Sequence, residues 1–451
     1  MSPVSSVVES IVVQLAWLLA VVAWWGATAW LARQPAPWAI RLTNPAFAAG
    51  LLWTYAAAAT IIVRSTRDRR TMLFRGAAAT MAFVVCALLF EASAVAGLID
   101  FHSIRNVLAG DVDERSVDFI IDHELSFRRP AHAHSSGRPR SNMAAMFNLP
   151  IRSAYVQTFS TDSRGFRNAA DLNRADVVLV GDSYIEGAYV SDDETAAVRL
   201  QASLGQPVAN LGLSGYGSLQ ELKVIEKYAV PLGPKMVAWF FFEGNDLDDD
   251  QDFENAMAYE HGVPAPPHAP ESASRKWRDL VERSFTVNAF MQLREWSDWL
   301  VPNGIDSFGW FRDRDGTSHR LYFYDFYATR ALGSYEQQRF ETTKDAFRRG
   351  AEICRRHGIR LVAVYIPIKF RVYGDLCTYP AGSPCVRWKP WDLEAQFAAF
   401  CRAAGIEFLS LTEPMHRVAS AGNVLYAPED SHWSAEGQRL VAGEIAKLVN
   451  W

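Results

Sequence analysis

Five short apolar runs, each trailed by an amphipathic stretch, recur from residue 175 to the C terminus, and this alternation restricts the fold more than any other feature. The runs are Asp176–Val180, Val208–Leu213, Met236–Phe242, Leu361–Ile366 and Phe408–Leu411. They are apolar throughout rather than at alternate positions, so they suit strands buried on both faces. Helix signals fall between them. Ser191 and Glu194 have the spacing of a capping box, as do Ser218 and Glu221. Gly205, Gly358 and Gly405 stand where helices would end.

Short buried strands alternating with helices predict an α/β domain, a flavodoxin-like three-layer α/β/α sandwich around a parallel five-stranded sheet. Residues 175–451 form this domain. The stretch at about 250–334, rich in Trp, Phe and Tyr, is too long for a simple connection and reads as an insertion beside the site. Its aromatic content suits a sugar or lipid surface, or simply a packed subdomain. Residues 101–174 read as a connector, loop-like from Arg129 to Ser141. His132 and His134 lie there without a third ligand in view, which favours a solvated loop over a metal clip.

Residues 1–100 differ in composition. Ile11–Ala32 and Pro45–Val63 form two long apolar runs, and Gly76–Ile99 a third, interrupted by Glu91. Each is long enough to cross a bilayer core, so about three transmembrane helices are expected ahead of the α/β domain. A cleaved signal peptide fits less well: no Lys or Arg precedes the first run, and two more runs follow. Arg64, Arg67, Arg69, Arg70 and Arg75 mark the segment after the second run as cytoplasmic. A multi-pass anchor in the inner membrane, contacting lipid, with a periplasmic catalytic domain, then follows. Glu91 is expected near the headgroups, hydrated.

A net charge of −5, from 45 basic and 50 acidic residues, gives no basic stripe for nucleic acid. Cys354 and Cys401 fall in helical segments as packing residues, while Cys377 and Cys385 are close enough to bridge across a turn. A disulfide in an oxidising compartment and two free thiols fit equally. No zinc-ligand spacing occurs, and the acidic run Asp246, Asp248, Asp249, Asp250 reads as a solvated loop, so neither metal nor cofactor is expected.

Reactive groups of such sheets gather in loops at the carboxyl ends of strands. Gly181-Asp182-Ser183 follows the first strand, Gly212-Leu-Ser-Gly215 the second, and Gly244-Asn245-Asp246 the third. Glu429-Asp430-Ser-His432-Trp433 precedes the last helix. A serine hydroxyl needs an imidazole to take its proton, and the imidazole needs a carboxylate to fix its tautomer. The oxyanion that forms on acyl transfer needs donors already in place. Gly-Asp-Ser or Gly-Asn-Asp alone is a common turn, but together, each just past a strand and ahead of a late Asp-x-His, they form a strong pattern. The Gly-x-Ser-x-Gly elbow of α/β-hydrolases is absent.

At these residues the chain resembles the SGNH (GDSL-like) hydrolase superfamily over roughly residues 175–249 and 360–451. The resemblance implies Ser183 as nucleophile and His432 as base. It also implies an oxyanion hole of the Ser183 and Gly215 backbone N–H groups with the Asn245 amide. Asp430 is taken as the acid, with Glu429 as the alternative, because the commonest family spacing is Asp-x-x-His.

The expected activity is a serine esterase removing acyl groups, acetyl above all, from a cell-envelope or extracellular carbohydrate. One alternative is an O-acyltransferase modifying an exported polysaccharide, fed by an acyl-donor partner protein. The other is a non-catalytic carbohydrate-binding module.

Overall fold

The computed structural model describes residues 3–32, 46, 49–50, 52–61, 68–99, 117–139, 141–143, 155–260, 284, 286–287 and 307–449. The chain divides into two compact units. The first comprises Met1–Asp113, Asn148–Ala154 and Pro270–Asn303, and the second comprises the rest.

In the first unit, helix α1 spans Pro3–Ala32 and α2 spans Arg69–Val95. Among the described residues no helix is long and apolar enough to cross a membrane, which overturns the expectation of three transmembrane helices. α2 carries four charged residues. Arg69, Arg70, Arg75 and Glu91 all fall inside the helix, and the uncharged stretch between Gly76 and Phe90 is shorter than the roughly 20 residues a span requires. α1 gives its opening turns to Ser5, Ser6, Glu9 and Ser10. Of the second expected run, only residues 46, 49–50 and 52–61 are described. The orientation argued from three crossings loses its premise. Glu91 is not simply hydrated: its carboxylate accepts the backbone N–H and hydroxyl of Thr286, each at 3.0 Å.

Among its described residues the second unit holds eleven strands. Its parallel sheet is built from β5 (Val177–Gly181), β6 (Val208–Gly212), β7 (Met236–Phe242), β10 (Arg360–Ile366) and β11 (Glu407–Ser410). Their order across the sheet is β6-β5-β7-β10-β11. Counted along the chain, this is the 2-1-3-4-5 order of doubly wound flavodoxin-like sheets. All five runs picked out by apolar character are therefore strands. Two antiparallel pairs precede the sheet, β1 (Ile120–Asp122) with β2 (Ser126–Arg128), and β3 (His134–Gly137) with β4 (Gln157–Ser160). His134 thus lies in a strand of an antiparallel pair rather than a loop. A third pair, β8 (Phe308–Arg312) and β9 (Ser318–Tyr322), lies in the insertion. Of the rest of that insertion, residues 261–306 lie outside the described residues apart from 284 and 286–287, as do connector residues 101–116, 140 and 144–154.

The helices are α3 (Ser183–Glu186), α4 (Ala196–Leu204), α5 (Ser218–Val224), α6 (Asp246–Glu260), α7 (Ser334–Arg356), α8 (Lys369–Tyr373), α9 (Leu393–Ala404), α10 (Thr412–Ser420) and α11 (Ala435–Ala446). Successive strand residues point to opposite faces. Val178, Val180, Trp239 and Phe241 therefore join α5, α7 and α9 in one core, while Val177, Leu179, Ala238 and Phe240 join α4, α10 and α11 in another. Where α7 crosses β7, Trp239 stacks on Phe347 with ring centroids 3.9 Å apart. A Cβ at Gly350 would come within 2.4 Å of the same indole, so only glycine lets the helix lie this close.

The acidic run is not a solvated loop. It opens α6, where Asp246 and Asp250 are fully buried. Asp246 accepts the N–H of Phe242 at 2.8 Å, while Asp250 accepts the N–H of Leu219 at 2.7 Å and the Thr343 hydroxyl at 3.0 Å. The carboxylates tie the start of α6 to β7, α5 and α7. Cys377 and Cys385 are free thiols, so no disulfide bridges their loop.

Candidate active site

Ser183 is placed by a sharp strand-to-helix turn. β5 ends at Gly181, Asp182 caps a single helical turn by accepting the N–H of Tyr184 at 3.0 Å, and Gly187 closes it at φ 79°. Ser183 opens that turn at the carboxyl edge of the sheet. Gly212, at the end of β6, lets the turn sit there: a Cβ would lie 2.4 Å from the Glu186 nitrogen.

Asp430 and His432 come from the loop between α10 and α11. A bridge between Tyr426 and Trp433 and a bond from the Ala427 N–H to the His432 carbonyl (3.0 Å) fold it into a tight turn. Trp433 is wholly buried beneath it and packs edge-on against Tyr184. The Tyr184 hydroxyl donates to the Ser431 carbonyl at 2.7 Å, joining this loop to the serine turn.

His432 Nε2 lies 2.7 Å from Ser183 Oγ, and its Nδ1 lies 2.6 Å from Asp430 Oδ1. With Nδ1–H donating to the carboxylate, Nε2 is left to accept the serine proton. Asp182 Oδ2 is a poorer acceptor for that hydroxyl, at 3.4 Å. Asp430, not Glu429, is at the ring; Glu429 instead accepts the Tyr189 hydroxyl. The Asp430 carboxylate also takes the His432 N–H at 2.8 Å and the Asn142 N–H at 2.6 Å.

Burial alone would raise the Asp430 carboxyl, but the His432 charge and these hydrogen bonds hold it below the ordinary value. Burial likewise works against a charged His432, yet the charge and hydrogen bond of Asp430, helped by Asp182 and Glu186, raise the imidazole above its usual value. Burial pushes Asp182 up to about 6.

The expected oxyanion donors lie in the loops after β5, β6 and β7, three neighbouring strands. Gly215 has φ +80°, a left-handed conformation that favours glycine. Its loop is anchored through Ser214, whose N–H (3.3 Å) and hydroxyl both donate to Glu186 Oε2. Glu186 in turn receives Arg129 in a bidentate pair at 2.8 and 3.0 Å. Burial alone would raise the Glu186 carboxyl; Arg129 keeps it below its ordinary value. The Asn245 amide donates one N–H to Asp249 Oδ2 at 2.6 Å, which orients the group and leaves its second N–H to give.

Sequence reasoning missed Arg129, Ser141, Asn142 and Lys369. The first three lie in the stretch read as a connector, and their part shows only when that stretch folds against the domain. Lys369, first residue of α8, is a lysine in an apolar setting just past a strand, which was a signal available in the sequence. Among the described residues no cluster of His, Cys, Asp and Glu is arranged to hold a metal ion.

Residues 321–450 match the family model described as the SGNH hydrolase-like domain of the acetyltransferase AlgX. The chain carries an SGNH hydrolase-like domain. It is an enzyme acting on acyl esters, as a hydrolase or an acyltransferase. The matched segment includes Asp430 and His432, whereas Ser183, Gly215 and Asn245 precede it, in loops that follow neighbouring strands of the sheet. No curated protein matches.

Among solved structures the chain is similar to a GDSL-like lipase from Bacteroides thetaiotaomicron (14% identity, 60% of this chain and 86% of that chain, TM-score 0.29). It is also similar to a lipase/acylhydrolase from Enterococcus faecalis (14%, 60% and 94%, 0.29). A carbohydrate esterase family 2 enzyme with its carbohydrate-binding domain, from Corynascus thermopiles, gives 10%, 66% and 70%, and 0.30. The assignment of the SGNH hydrolase-like domain rests on the family match and the site geometry, not on these likenesses.

Proposed function

We propose that Ser183 is the nucleophile, His432 the base and Asp430 the acid of a serine esterase that removes acyl groups, acetyl above all, from a carbohydrate. The observation that carries this reading is the unbroken line from Ser183 Oγ through the imidazole to Asp430. His432 takes the serine proton as Oγ attacks the acyl carbon. The N–H groups of Ser183 and Gly215, with the Asn245 amide, receive the oxyanion. Collapse expels the sugar hydroxyl, protonated by His432, and leaves an acyl-Ser183. Water activated by His432 then releases the acid.

The match to a family described by an acetyltransferase supports a second reading. There a sugar hydroxyl replaces the water, and a partner must deliver the acyl donor. A silent carbohydrate-binding module has no use for a serine, imidazole and carboxylate in hydrogen-bonded series.

Incubating the protein with p-nitrophenyl acetate, with and without an acetylatable oligosaccharide, separates the readings. Hydrolysis without sugar acetylation supports the esterase, and an acetylated sugar supports the transferase. Turnover unchanged in Ser183→Ala removes both.

A further inference from the structure

Lys369 is a buried ammonium, 3% exposed, with no carboxylate among its hydrogen-bond partners. Its three N–H groups go to three backbone carbonyls, of Ala427 at 2.7 Å, Pro428 at 3.1 Å and Tyr322 at 3.1 Å. Met143 Sδ lies 4.0 Å away. Burying a charge costs several kcal/mol, and an apolar side chain of similar volume would fill the space without that cost. Burial pushes the ammonium pKa down to about 7, a sign of how thoroughly it is desolvated. What the ammonium does here that an apolar chain could not is join carbonyls from separate parts of the chain.

Two of those carbonyls open the turn that carries Asp430 and His432. The third belongs to β9, whose Tyr322 N–H also donates to Pro428 O at 2.9 Å. A second grip comes from elsewhere in sequence. The Ser141 hydroxyl donates to the Glu429 carbonyl, and the Asn142 N–H donates to Asp430 Oδ2 at 2.6 Å. The Asn142 amide donates to the Ser431 hydroxyl and accepts the Ser431 N–H at 2.9 Å. The turn from Ala427 to Ser431 is thus held by groups outside it.

We propose that Lys369 and Asn142 are positioning residues that clamp this turn so that Asp430 meets the imidazole of His432 while its Nε2 faces Ser183. Neither side chain bonds to Ser183 or His432. The inference rests on the reading of Ser183 and His432 as nucleophile and base, and Ser183→Ala is measured beside the other variants for that reason.

The test uses the full chain with p-nitrophenyl acetate. Lys369→Met and Asn142→Ala are each expected to lower kcat by about 10- to 100-fold with KM within about twofold, because a displaced catalytic group slows chemistry without weakening ground-state binding. Lys369→Arg, which keeps the cation and its donors, is expected to recover part of the rate. The downfield proton resonance of the His432 Nδ1–H bonded to Asp430 should be lost or shifted in both impaired variants.

If Lys369→Met does not fold, Asn142→Ala decides. Folded Asn142→Ala with wild-type kcat and an unmoved resonance overturns the proposal, as does a raised KM with unchanged kcat. If Ser183→Ala keeps the wild-type rate, the functional reading itself falls. If Ser183→Ala is inactive while the clamp variants behave as wild type, only the positioning role is lost.

Discussion

At the scale of single residues the proposed chemistry turns on His432. A base must be neutral to work, and the balance of burial against Asp430 raises its pKa above the ordinary value of 6.5. The acid limb of the pH profile of kcat/KM for p-nitrophenyl acetate is therefore expected above pH 6.5. A rate flat from pH 5 to 8 would remove His432 as the base. Asp430→Asn is expected to leave the fold intact and lower kcat by about 10⁴-fold, since an amide at that position favours the wrong tautomer. The same change at Glu429, which touches Tyr189 and not the ring, should have far less effect. Sequence spacing left the two carboxylates as alternatives. The choice depends on the turn that brings the His432 N–H to Asp430 Oδ1, a local conformation that spacing does not specify.

Among the elements, the loop after β6 is held to the serine turn by the Arg129–Glu186 pair. Glu186 is buried and its charge is matched by Arg129. Arg129→Met removes the cation hydrogen-bonded to that carboxylate, leaving it the Ser214 donors and the charge of Arg167, and breaking a buried pair in this way costs about 3–5 kcal/mol. Urea unfolding should report a loss of that order; a loss near zero would mean that the pair is not what keeps the carboxylate ionised. The strands of the sheet were legible because an apolar run buried on both faces is a one-dimensional signal. Arg129 was not, because its partner is far along the chain and nothing in its neighbourhood announces the pairing. The run from Asp246 to Asp250 was misread for a related reason. Acidic residues usually face water, and here Asp246 and Asp250 are buried as ties between α6 and its neighbours.

Across the whole molecule, that burial makes stability depend on pH. Burial pushes Asp250 up to about 7 and Asp182 up to about 6, from an ordinary value near 3.8. A carboxyl whose folded pKa is raised favours folding fully below its unfolded value, and the contribution is lost as pH rises through the folded one. From these groups, melting temperature should fall between about pH 4 and pH 7. Asp250→Asn, which keeps an acceptor for Leu219, should flatten that fall; an identical slope in the variant would assign the effect elsewhere. At the same scale, composition misled. Long apolar runs in residues 1–100 read as spans, yet among the described residues no helix is long and apolar enough to cross a membrane.

The most direct measurement of the catalytic claim is covalent labelling of the intact protein with a fluorophosphonate, followed by peptide mapping. One adduct on Ser183 at pH 8, strongly reduced at pH 5 and in His432→Ala, is the expected result. Labelling elsewhere, or labelling of Ser183 that ignores both pH and His432, would contradict it.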